Sequence, residues 1–292
     1  MMDTTPENYL KELLNCVIAI NKHFTSKNDW NNQNKLEFTQ GLFRRREASI
    51  LIPYKSVKHR VQFECHEQIV LDGYIRLAKQ LLEKPEDPLA IFVLRVLYEI
   101  GFDKIDALFA QEISHEEKQE FKLIDSLSDL LGITGDEYRE NFLALLNEER
   151  EILNSNIRKL FEEAEVILKN NSEIKLSLLK RIRRYINSQL KEFSRKITLP
   201  VILKGKTNFE PLNITFSHLL HGNPIAIKVA IDPEFSQMHG NWVLATIWNT
   251  GLNILIRTKN VITDQSLQKR VEELLQYAEP VWEELQKRRL LR

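Results

Sequence analysis

Two neighbouring segments with helical apolar spacing carry opposite charge, and this limits how the chain can fold. Residues 112–165 hold fifteen Asp and Glu against six Lys and Arg, a net of −9. Residues 169–206 hold eleven Lys and Arg against two Asp and Glu, a net of +9. The switch vanishes in a total of 41 cations and 41 anions. Within it, Tyr138, Phe142, Leu145, Ile152, Ile157, Leu160, Ala164 and Ile167 recur at helical steps, and so do Leu178, Ile182, Ile186, Leu190, Phe193 and Ile197. Residues 136–197 therefore predict a helical hairpin, with Asn170-Asn171 closing the first arm and Ser172 capping the second. On the second arm Lys180, Arg184, Lys191 and Arg195 are offset two residues from the apolar set, about 200° around the helix. Two readings follow. Antiparallel arms set acid against base and cancel, or the basic face is kept for an anionic partner.

The rest of the first two-thirds also reads as helix. Thr4-x-x-Glu7, Ser114-x-x-Glu117 and Thr134-x-x-Glu137 are capping-box signals. A helical pattern runs from about Val57 to Glu83 and stops at Lys84-Pro85, and Pro88 opens the next helix. After Pro200 the pattern changes to short β-branched runs at Ile197–Leu203, Asn213–Leu219, Ile225–Ile231, Val243–Trp248 and Asn253–Arg257. Turn signals divide them, among them Gly222-Asn223-Pro224 and Asn249-Thr250-Gly251. An amphipathic helix over roughly 264–289 closes the chain despite Pro280. The expected fold is α+β and predominantly α-helical. Its helical region covers residues 1–195; a small antiparallel sheet capped by the C-terminal helix covers 196–292. Trp242, Trp248, Phe235 and Trp282 are the expected aromatic core joining sheet and helix.

Composition removes several function classes. Two cysteines, Cys16 and Cys65, are too few for a disulfide framework and lack metal-ligand spacing, which fits a reducing cytoplasm. No signal-peptide pattern opens the chain, and the mildly polar run Trp242–Ile256 falls short of the ~20 apolar residues that span a bilayer. There is no phosphate loop, dinucleotide fingerprint or glycine-flanked serine, so no cofactor is expected.

Three groups of residues carry candidate chemistry. Lys180, Arg181, Arg183, Arg184, Lys191 and Arg195 are placed to track a phosphate backbone, with Tyr185 among them as a base-stacking candidate. Arg60-Val-Gln-Phe-Glu-Cys-His66 resembles the active motif of HEPN-domain ribonucleases. That resemblance implies an all-helical site in which Arg60 holds the scissile phosphate and His66 acts as general acid or base. His218, His221, Asp232 and His239 offer imidazole and carboxylate ligands for Zn²⁺ or Mn²⁺. The sequence thus leads to a cytoplasmic, non-catalytic binding protein that meets nucleic acid through a basic helix face. A nuclease, metal-independent through Arg60 and His66 or metal-dependent in the C-terminal region, is one alternative. A protein–protein adaptor is the other, and no membrane partner is expected.

Overall fold

A computed structural model describes residues 5–27, 66–87, 90–132, 136–170, 173–198, 200–204 and 236–290, with Lys228, Ile231 and Asp232 between the last two. Its helices in chain order are α1 (Pro6–Lys27), α2 (His66–Glu83), α3 (Ala90–Tyr98), a π-helical turn (Glu99–Lys104), α4 (Ile105–Phe109), α5 (His115–Gly132), α6 (Asp136–Glu149), α7 (Ser155–Lys169), α8 (Leu176–Lys196), α9 (Ser236–Thr258) and α10 (Gln265–Leu290). Short 3₁₀ turns lie at Arg150–Ile152 and Val201–Leu203. The chain forms two compact units: one of residues 1–26, 67–111 and 197–292, the other of residues 27–66 and 112–196.

The first unit is organised by α9, which packs against α3, the π turn, α4 and α10. Residues 246–255 are buried without a break, so α9 has no solvent face over this stretch. Trp248 meets Trp282 of α10 at 4.8 Å between ring centroids. The Tyr74 hydroxyl of α2 donates to the Ile247 carbonyl of α9 at 3.1 Å, and the Tyr9 hydroxyl of α1 donates to the Leu274 carbonyl of α10 at 2.8 Å. Polar side chains inside the unit are tied down locally. Thr246, Asn249 and Thr258 bond carbonyls four residues back, at 2.8, 3.0 and 2.7 Å. Asn253 Nδ2 donates to the Gly101 carbonyl in the π turn at 2.7 Å and to Asp106 at 2.9 Å. Arg257 Nε completes the group on Asp106 at 2.8 Å, both side chains being about nine-tenths buried.

The expected small sheet is overturned. No strand occurs among the described residues, and Val243–Trp248 and Asn253–Arg257 both lie within α9. In Ile197–Leu203 the described residues 197, 198 and 200 are irregular and 201–203 form a 3₁₀ turn, Asn213–Leu219 lies outside the described residues, and so does most of Ile225–Ile231. The physical reason is burial. A helix enclosed on all sides loses the one-sided 3.6-residue apolar pattern, and its β-branched residues are then the strongest local signal left. Asn249-Thr250-Gly251 is not a turn. A Cβ at Gly251 would stand 2.7 Å from Leu13 Cδ2 and collide with the Tyr74 hydroxyl, so the glycine permits close approach in mid-helix.

The second unit is a ring of four helices, in which α5 touches α6 and α8, and α7 touches α6 and α8. Their shared core includes Leu123, Leu127, Phe142, Leu145, Ile157, Phe161, Leu178 and Ile182. The predicted Ser114–Glu117 capping box is formed: Glu117 N–H donates to Ser114 Oγ at 3.2 Å and Ser114 N–H donates to Glu117 Oε2 at 3.0 Å. The predicted hairpin differs in its first arm, which is two helices. The 3₁₀ turn ends α6, and Asn154 Oδ1 starts α7 by accepting from Asn156 N–H and Ile157 N–H at 3.0 and 3.3 Å.

Gly251→Ala is expected to destabilise the first unit by about 1–3 kcal/mol through overpacking, although alanine is the better helix former. Chemical or thermal unfolding of the variant against the parent measures this; an unchanged or raised melting temperature contradicts the close packing of α1, α2 and α9.

Candidate nucleic-acid interface

Helix α8 turns two faces in opposite directions. Leu178, Ile182 and Phe193 are buried, with Leu179, Tyr185 and Ile186 partly buried beside them. Lys180, Arg181, Arg183, Arg184, Lys191 and Arg195 are all exposed. At 100° per residue, Lys180, Arg183, Arg184, Lys191 and Arg195 fall within an arc of about 120° opposite the apolar face. Lys180 and Arg195 are separated by about 22 Å along the axis.

The acidic partner arm is neutralised mostly from elsewhere. Arg150, in the 3₁₀ turn, bonds Glu165 at 2.8 Å and lies 3.5 Å from Glu162. Lys169 also reaches Glu165, at 2.7 Å, and Arg158 lies 3.4 Å from Glu151. From α8 itself, Arg181 pairs with Glu163 at 2.7 Å, and Lys196 pairs with Glu117. Lys196 and the Ser114 hydrogen bonds hold the Glu117 carboxyl below its ordinary range. Lys180, Arg183, Arg184, Lys191 and Arg195 make no ion pair among the described residues. Of the six cations singled out from sequence, the structure therefore separates one, Arg181, whose charge is taken up internally.

Tyr185 is not presented for stacking. Its ring is partly buried, and its hydroxyl accepts hydrogen bonds from Asn154 Nδ2 and, at 2.9 Å, from Gln189 Nε2. The other exposed residues between Arg184 and Arg195 are Asn187, Ser188, Glu192 and Ser194. Ser188 and Ser194 direct their hydroxyls to the carbonyls of Tyr185 and Leu190, both at 2.8 Å. That leaves Asn187 among them with its polar head unspent on the described residues.

The remaining sequence candidates are only partly visible. His66 is the first residue of α2, and Arg60 lies outside the described residues, as do His218 and His221. Asp232 is partly buried, whereas His239 lies in α9 with no solvent exposure, its ring centroid 5.7 Å from that of Trp242. Among the described residues no group of three or more His, Cys, Asp or Glu side chains is placed to hold a metal ion. Nor is any described helix long and apolar enough to cross a membrane. Cys16 is a buried free thiol, its pKa pushed up to about 11 by burial.

Sequence reasoning missed two things here. One is Arg150, which takes up Glu162 and Glu165 of α7; nothing in its sequence surroundings marks it. The other is the buried Asp106–Asn253–Arg257 group, for which a signal existed: Thr246, Thr250, Asn253 and Arg257 recur at helical steps of four and three. No family model matches the chain, and neither a curated protein nor a solved structure matches it.

Burial holds the His239 imidazole below its ordinary value of 6.5. The unfolded chain then binds the proton more readily than the folded one, so stability rises with pH below that value and is lost as the medium is acidified through it. A pH series of melting temperatures should show a fall between about pH 6.5 and 5 that is smaller in His239→Gln. Parallel curves for parent and variant would contradict it.

Proposed function

We propose that this is a cytoplasmic, non-catalytic binding protein that holds nucleic acid, without regard to sequence, on the basic face of α8. The observation that carries this reading is the set of five exposed cations, Lys180, Arg183, Arg184, Lys191 and Arg195, that make no ion pair among the described residues although fifteen acidic residues lie in the preceding segment. A helix whose cations served only to fix a hairpin register would spend them on the neighbouring arm, as Arg181 does on Glu163. Cations spread along one rigid face suit a polyanion, because each phosphate neutralised releases condensed counterions. The buried free thiol of Cys16 is in keeping with a reducing compartment.

The test is fluorescence anisotropy with labelled nucleic acids at low and physiological salt. The parent protein should bind with a Kd of roughly 1–100 μM at physiological salt, the range of non-specific complexes. A variant with all five cations changed to Gln should lose measurable binding while keeping its circular-dichroism spectrum and losing no thermal stability. Arg181→Gln, which removes a cation already paired, should bind within about twofold of the parent, since it takes no phosphate contact away. Undiminished binding by the five-site variant removes α8 as the interface; no binding by the parent at low salt removes nucleic acid as the partner.

A further inference from the structure

We infer that the basic face of α8 selects double-stranded nucleic acid, reading the phosphates of a duplex and not the bases of a single strand. This rests on the nucleic-acid reading above and narrows its ligand. Proteins that hold single strands generally add aromatic platforms, each stacked base contributing about 1–3 kcal/mol. Helix α8 has two aromatic residues and presents neither: Phe193 is buried against Phe121 at 5.8 Å between centroids, and Tyr185 is held by Asn154 and Gln189. Ser188 and Ser194 are turned to their own backbone, so hydrogen-bonding heads that could read base edges are few between the cations. What remains is charge, and charge favours the duplex. It carries one phosphate per ~1.7 Å of axis, and a protein neutralising Z phosphates shows a salt slope near −0.9Z on duplex against −0.7Z on a single strand. The cations are also set in advance, because Leu178, Ile182 and Phe193 fix α8 in the core. A stiff ligand meets such a face without first being ordered, whereas a flexible strand has to be straightened along it.

The experiment compares a mixed-sequence DNA duplex of roughly 20 base pairs, the same duplex in RNA, a scrambled DNA duplex and single-stranded oligo-dT of equal length, using the full-length protein. With five phosphate contacts the duplex slope should be about −4.5, which is about a 500-fold loss of affinity between ~50 and ~200 mM salt. Parent and scrambled duplexes should bind alike, and oligo-dT more weakly by about tenfold or more. Tighter binding of the DNA or the RNA form assigns the source of the duplex, and either supports the inference. Each single change of the five to Gln should reduce the slope by about 0.9, and Lys180→Arg should leave it unchanged. Oligo-dT bound as tightly as duplex through α8 would overturn the duplex inference and leave the nucleic-acid reading standing. Failure of every probe to bind, or duplex binding unchanged in the five-site variant, would overturn both.

Discussion

Everything in the first unit depends on a helix that water does not reach. Over residues 246–255 α9 is enclosed, so each of its polar side chains needs a partner inside the protein. Thr246 and Thr258 bond carbonyls of their own helix, Thr250 donates to the Leu97 carbonyl of α3 at 3.3 Å, and Asn253 and Arg257 converge on Asp106. The neighbouring backbone is shaped to match. A π-helical turn at Glu99–Lys104 offers the Gly101 carbonyl to Asn253, and a Cβ at Gly101 would lie 2.5 Å from Thr250 Cγ2. Glycines at 101 and 251 therefore set how closely α9 can approach its neighbours. Removing one partner of a buried, hydrogen-bonded charge pair such as Asp106–Arg257 leaves the other uncompensated, typically at about 3–5 kcal/mol.

The second unit solves a different problem, with helices that each have a wet side. Its apolar seams are ordinary 3.6-residue stripes, and its charges sort around them. Arg150 is the pivotal residue because it sits in the break between α6 and α7 and takes up acidic side chains of α7. Lys169 shares Glu165, and of the six cations singled out on α8 only Arg181 pairs with an α7 carboxylate among the described residues.

The difference between these two environments also explains what could be read from the sequence. Stripes are legible, so α8 and α10 can be read from the sequence, α7 only as part of a longer arm, and so can the Ser114–Glu117 cap, whose two reciprocal bonds are written in four consecutive residues. The basic face was legible for the same reason. The buried α9 was not. Enclosure replaces the stripe with continuous apolar and β-branched residues, and a glycine needed for contact with Tyr74 and Leu13 looks like a turn. The break at Asn154 was hidden too, because the apolar spacing continues across it while the cap acts through one side-chain oxygen.

The spacing of the α8 cations has one more consequence, for the protein with nothing bound. Lys180–Arg183, Lys180–Arg184 and Lys191–Arg195 are like-charge neighbours three or four residues apart on one helix face. Such pairs repel, each by about 0.2–0.5 kcal/mol. The free helix thus carries electrostatic tension that the core beneath it must hold. Added salt screens that tension and steadies the empty protein, yet the same salt loosens its grip on a polyanion. Stability and binding therefore respond to ionic strength with opposite sign.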